Sequence, residues 1–281
     1  MKRHAFRILN VFARDGRLTG NPLCVFEDGA ALDAETMQAL ARQFNLSETT
    51  FILPSARATA AVRIFTPAYE MPFAGHPTLG TAHVVRALTN AGASITLDMQ
   101  AGIIPVSAEG DRWTLEARSP RQRAITQTRA ELAGILGLEA LDVGEWPLWV
   151  NAGREQLVVP VTSDDAVRRA APRADAFATL KSEDGASMAL VFCDAGDAAG
   201  TVLARFFLPS GASILEDPAT GSACANLGGW FTVVRPATDI ARTVSQGEVV
   251  RRPSTLFLRV QSGRIFVAGE VIELGRSAIE L

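Results

Sequence analysis

Apolar and polar positions alternate over residues 3–12 and a short apolar run covers 23–26, so the chain opens as two strands joined across the turn Thr19-Gly20-Asn21-Pro22. Met37, Leu40, Ala41 and Phe44 then fall at i, i+3, i+4 and i+7, the period of a helix with one apolar face, with Asp33 as its N-cap and its end near Asn45. Strands are predicted at 49–53 and 61–65. Residues 76–90 form a helix in which, beyond His76 at its start, only His83 and Arg86 could carry charge, so most of its circumference should be buried. Further strands fall near 95–99, 103–107 and 112–117. The polar stretch 119–127 contains a proline, lacks periodicity and reads as a linker.

Beyond it, Thr128-x-x-Glu131 is a capping-box signature for a helix to about Leu136. Strands are expected near 147–150 and 155–161, a helical stretch over 163–180 interrupted at Pro172, and strands at 187–193 and 201–208. A segment without any charged residue runs from Ala219 to Val234 and holds a helix that begins after Gly221. It is too short to span a membrane, so it is expected at the centre of a second domain. Strands near 255–261, 264–268 and 270–274 close the chain.

Two stretches repeat one pattern. Arg63, Phe65 and Pro67 recur as Arg205, Phe207 and Pro209 at a constant offset (205 − 63 = 142), and Pro72-Phe-Ala-Gly75 recurs as Pro218-Ala-Thr-Gly221 (218 − 72 = 146), so the second copy carries four extra residues. A strand that stops at proline and passes through glycine into an apolar stretch predicts strand, sharp turn and helix. Each copy would then bring a helix N-terminus, with its unpaired N–H groups and positive dipole end, to a strand end. Two such ends are read as a clamp for an anionic small molecule, in a cleft between two domains.

Composition narrows the function classes. The 281 residues are 48% hydrophobic, enough for a sizeable core, with a formal net charge of −3, a pI near 5.7 and no Lys/Arg-rich run. Nucleic acid and anionic membranes are therefore not expected as partners, and a cytoplasmic protein is the default. Cys24, Cys193 and Cys224 form neither a C-x-x-C pair nor a disulfide framework; Cys24 and Cys193 read as small buried hydrophobes, while Cys224 lies one turn into the second motif helix.

The candidate chemistry gathers at the repeat. Glu48, flanked by Ser47 and Thr49, reads as a strand-edge carboxylate that could take a proton from carbon if apolar walls surround it. His76 follows Gly75 at the first helix start, where its imidazole would meet an anion. Glu216 and Asp217 precede the second helix; Asp217 is expected to cap it and could also present an oxygen to a substrate or to His76. Gly75, Gly221 and Ser222 would donate hydrogen bonds to a carboxylate or an enolate. Neither G-x-x-x-x-G-K-[S/T] nor G-x-G-x-x-G occurs, so nucleotide binding has no support.

These residues resemble a known family. Gly20-Asn21-Pro22, Asn45-Leu-Ser-Glu48-Thr-Thr-Phe, Arg63-Ile-Phe-Thr-Pro67, Gly75-His76-Pro-Thr-Leu-Gly80, Leu157-Val-Val-Pro160, Arg205-Phe-Phe-x-Pro209 and Glu216-Asp-Pro-Ala-Thr-Gly-Ser222 are similar to the motifs of the PhzF-like family, phenazine biosynthesis proteins of the diaminopimelate epimerase-like fold. The resemblance implies an α+β protein of two pseudo-symmetric domains, each a mixed β-sheet or barrel wrapped around a central α-helix. The domains would cover 1–118 and 128–269, joined by the linker 119–127, with a C-terminal strand near 270–281 returning to the first. It implies catalytic roles for Glu48, His76 and Asp217, substrate binding by Gly75, Gly221 and Ser222, no metal or organic cofactor, and a homodimer. The implied activity is an isomerase or epimerase that moves a proton on a small carboxylate-bearing substrate by Glu48 acid/base catalysis. Racemising relatives within the fold use two thiols, and His76 and Ser222 occupy those positions here. The alternative is an idle protein on the same fold that binds a small carboxylate or a partner without chemistry. Arg251 stands where the family commonly has glycine, and Cys224 and Asn226 replace small residues of the second helix.

Overall fold

The computed structural model describes residues 2–196 and 199–281, which divide into two compact units, 1–116 with 268–281 and 117–267. The first contains β1 (Arg3–Val11), β2 (Asn21–Phe26), α1 (Ala34–Phe44), β3 (Glu48–Leu53), β4 (Ala60–Phe65), β5 (Glu70–Met71), α2 (Gly75–Thr89), β6 (Ser94–Met99), β7 (Gly102–Glu109) and β8 (Arg112–Glu116). The second contains β9 (Arg121–Ala124), α3 (Arg129–Leu136), β10 (Leu148–Asn151), β11 (Glu155–Pro160), α4 (Asp164–Arg169), α5 (Ala174–Phe177), β12 (Ala189–Asp194), β13 (Thr201–Ser210), β14 (Ser213–Asp217), α6 (Gly221–Val234), β15 (Ile240–Gln246) and β16 (Ser254–Gln261). The last strand, β17 (Arg264–Glu280), begins in the second unit and ends in the first.

In the first unit the pairings run β4–β6–β7–β8–β17–β1–β2–β3 and return to β4, so the sheet closes on itself. Helix α2 packs against β1, β2, β3, β4, β6 and β8 and fills the interior. Closure leaves room for little else: a Cβ on Gly80 would lie 2.5 Å from Leu23 Cδ2 and 2.9 Å from Val11 Cγ2. Gly80 therefore sets how closely the helix approaches the β1–β2 pair. Alternation along β3 sends Phe51 outward to the cluster of Phe26, Met37 and Phe65 under α1, whereas Thr50 faces inward, its hydroxyl 2.8 Å from that of Thr81 on α2.

In the second unit the order is β9–β10–β11–β12–β13–β15–β16, with β14 as a hairpin on β13, and α6 packs on β9, β10, β11 and β16. Here two glycines allow the close approach: a Cβ on Gly228 would lie 2.6 Å from Ile265 Cγ2, and one on Gly229 would lie 2.7 Å from Val150 Cγ1. A second core forms on the other face of this sheet, where Leu132, Leu136, Val167 and Phe177 pack under α3, α4 and α5.

Three sequence expectations need correction. The stretch 119–127 contains β9, paired antiparallel with β10; its polar side chains concealed it, because Arg123 is held by both carboxylate oxygens of Glu155 (2.8 and 2.9 Å) rather than by an apolar layer. The two strands expected at 264–268 and 270–274 are one strand, since the chain passes from one unit to the other without a turn. The helix after Gly221 has Thr220, not Asp217, at its N-cap. Arg251, in the place of a common glycine, keeps φ at +57°, so the turn there retains the left-handed conformation that glycine adopts without strain.

Candidate functional site

The repeat is a structural repeat as well, with one member absent from the sequence reading. On β4, Arg63 lies over the Phe65 ring (5.0 Å to the centroid) and pairs with both oxygens of Glu70, each at 2.7 Å. On β13, Arg205 lies over Phe207 (4.8 Å) and pairs with Glu216 Oε2 at 2.7 Å. Glu70 faces Phe65 across β4–β5 as Glu216 faces Phe207 across β13–β14. Each buttress fixes the hairpin that delivers the chain to a central helix, which assigns Glu216 to Arg205 rather than to a carboxylate pair with Asp217.

Both central helices begin without a side-chain cap: Ala74 at the start of α2 has no capping group, and the Thr220 hydroxyl does not cap α6. Neither first turn carries an acidic residue. By contrast α1, α3 and α4 are capped by Asp33, Thr128 and Ser163. An uncapped helix start leaves its N–H groups and positive dipole end to another acceptor.

In the first unit the structure brings Glu48, Gly75 and His76 together. Glu48 is the first residue of β3, where α1 has ended at Asn45 in the left-handed conformation, and alternation places it on the Thr50 side of the strand, toward α2. Its Oε2 lies 3.4 Å from His76 Nε2, with 15% of the carboxylate side chain and 7% of the imidazole exposed. Burial lowers the His76 pKa from its usual value to about 3, partly opposed by the Pro22 carbonyl, which accepts a hydrogen bond from the ring. With the imidazole neutral the contact is not an ion pair, and among the described residues Nε2 has no hydrogen-bond partner. Below the unfolded-state value near 6.5 the unfolded chain takes up the proton first. The stability that depends on neutral His76 is therefore present above about 6.5 and is lost progressively as pH falls toward about 3. Nitrogen NMR of the His76 ring is expected to show a neutral imidazole, with one protonated and one unprotonated nitrogen, from pH 8 down to 5; a titration centred near 6.5 would contradict this placement.

In the second unit, Asp217, Gly221 and Ser222 gather at the start of α6. Asp217 Oδ2 accepts a hydrogen bond from the Thr220 hydroxyl, and its backbone carbonyl accepts one from Gln246 Nε2 at 2.8 Å. Ser222 Oγ accepts one from Gln156 Nε2 at 2.9 Å. The sequence reading missed Gln156, Gln246 and the full role of Asn226. An amide in a helix otherwise apolar was the available signal, since a buried carboxamide needs partners. Desolvation raises the thiol pKa of buried Cys24 and Cys224 and holds both protonated, so neither thiol serves as a nucleophile at neutral pH. Among the described residues no His, Cys, Asp and Glu cluster could hold a metal ion, and no helix is long and apolar enough to cross a membrane.

Residues 9–274 match the phenazine biosynthesis-like family PhzC-PhzF. The chain belongs to this family. It is 34% identical over 97% of its length to an uncharacterized isomerase of Pasteurella multocida, of which the alignment covers 92%. It is likewise 34% identical to the trans-2,3-dihydro-3-hydroxyanthranilate isomerase of Pseudomonas chlororaphis, over 99% of this chain and 100% of that one. The crystal structure of a PhzF-family phenazine biosynthesis protein from Bacillus anthracis matches with a TM-score of 0.88 at 25% identity, covering 100% of both chains. The fold is the epimerase-like arrangement of PhzF proteins, a mixed sheet wrapped around a helix, and isomerase is the class named for the Pasteurella and Pseudomonas relatives.

Proposed function

We propose that this PhzF-family isomerase moves a proton between carbon atoms of a small carboxylate-bearing substrate, with Glu48 as the acid/base group. Glu48 takes the proton from one carbon, and its conjugate acid returns it to another carbon of the same molecule, so the reaction balances without a second reactant. His76, neutral at working pH, presents an uncommitted ring nitrogen beside the carboxylate and assists as a hydrogen-bond group rather than as a cation. Gly75, Gly221 and Ser222 supply donors for the substrate carboxylate and for the enolate-like charge of the transition state, and Asp217 orients the substrate. The observation that carries this reading is the 3.4 Å contact between the Glu48 carboxylate and the buried imidazole that opens the uncapped α2.

The names of the Pseudomonas relatives point to trans-2,3-dihydro-3-hydroxyanthranilate as the first substrate to try. Incubated with it and with a panel of small carboxylates in D2O, the protein is expected to isomerise at least one of them, with solvent deuterium entering a carbon position visible by proton NMR. Thermal stabilisation by a carboxylate without any exchange would overturn the catalytic reading and leave a binding protein.

A further inference from the structure

The polarity of one buried hydrogen-bond chain in the second unit can be deduced from a backbone amide at its far end. The Ala152 N–H donates to Asn226 Oδ1 at 2.8 Å, and an N–H can only donate. The other end of the Asn226 carboxamide is therefore Nδ2, which donates to the Arg154 carbonyl at 2.9 Å and to Gln156 Oε1 at 2.8 Å. With Oε1 of Gln156 thus the acceptor, its Nε2 must be the atom that donates to Ser222 Oγ, at 2.9 Å. Asn226 and Gln156 are each 1% exposed, so water does not compete for these bonds, and flipping either amide would set donor against donor. The Ser222 oxygen is engaged as an acceptor, and its proton must point elsewhere; Ser222 is half-buried, so an open side remains.

We propose that Gln156 and Asn226 are positioning residues that hold the Ser222 hydroxyl as a hydrogen-bond donor, so that it receives a ligand atom that only accepts, such as a carboxylate oxygen, and discriminates against amides and amines that present a donor there. The proposal rests on the reading of Ser222 as a substrate-binding residue. It also accounts for an asparagine inside a helix that otherwise carries only apolar and small residues.

The test uses the Glu48→Gln protein, which does not consume its ligand, titrated calorimetrically with trans-2,3-dihydro-3-hydroxyanthranilate. Adding Gln156→Met or Ser222→Ala is expected to weaken binding about tenfold each. Combining them should weaken it no further, because both act through one hydroxyl. With Gln156→Glu, affinity should fall as pH rises, since the ionised carboxylate accepts and turns the Ser222 proton inward, whereas the parent stays flat over that range. Unchanged affinity in Gln156→Met, or fully additive losses, would overturn the proposal. Failure of the parent to bind this probe counts against the substrate reading instead. The chain itself is then judged in the ligand-free protein by side-chain amide hydrogen exchange. Ser222→Ala should speed exchange at Gln156 and leave Asn226 slow, and equal Gln156 rates with and without the hydroxyl would refute the arrangement.

Discussion

In the Glu48→Gln protein, solvent deuterium entry into trans-2,3-dihydro-3-hydroxyanthranilate is expected to fall by about 10²–10⁴, the usual contribution of a positioned acid/base group. The fold should persist. Glutamine matches glutamate in shape, the position is the first residue of β3, and the neighbouring imidazole is neutral, so no buried countercharge is stranded. Ligand affinity should change little, because the role proposed for the Glu48 side chain is on the carbon-bound proton rather than on the substrate's own carboxylate. Circular dichroism, ligand titration and exchange NMR on the same preparation separate these effects. Exchange at the wild-type rate in the variant would transfer the base role to another residue.

The second large effect concerns stability. Arg205→Met is expected to cost about 3–5 kcal/mol, the range for breaking a buried ion pair from one side. Arg205 and Glu216 side chains are 11% and 7% exposed, and the guanidinium also donates to the carbonyls of Val167, Arg168 and Ala170 at 3.2, 3.0 and 2.6 Å. It thereby ties down the end of α4, where the Val167 carbonyl also accepts from the Ala170 N–H at 3.3 Å. Arg63→Met breaks the equivalent pair, but those side chains are 30% and 21% exposed and the guanidinium reaches no helix end, so solvent screening should hold the loss to about 1 kcal/mol or less. Urea midpoints of the two variants therefore test whether burial or charge pairing controls the effect. Equal losses at Arg63 and Arg205 would show that the carbonyl contacts contribute nothing.

Much of this fold could be read from the chain because its periodic signals are strong. The i, i+3, i+4, i+7 set from Met37 to Phe44 gave α1 with its Asp33 cap, and the absence of charge from Ala219 to Val234 gave a central helix. The repeat of Arg63 and Arg205 located both helix starts. What escaped lacks periodicity. β5 is two residues long, β9 is polar because its arginine pairs with Glu155, and β14 is a short, half-buried hairpin arm that ends in two carboxylates, so none shows an apolar rhythm. At the candidate site, residue types and spacing singled out Glu48 and His76, which lie 3.4 Å apart, whereas the neutral state of the imidazole depends on burial that no local pattern reveals. Gln156 was hidden for a similar reason: its role depends on Asn226, 70 positions away, and on a backbone amide.

The path of β17 has a consequence for synthesis of the chain. The first unit is discontinuous: residues 268–281 supply the strand between β1 and β8 that closes its sheet. While the ribosome is still making the second unit, the earlier one has two unzipped margins, each offering a row of bare amides to any stray strand. The second unit is continuous and can finish first, so the N-terminal half waits for the final segment to emerge before it can seal. Premature termination after residue 267 would thus spare the second unit and damage the oldest part of the protein.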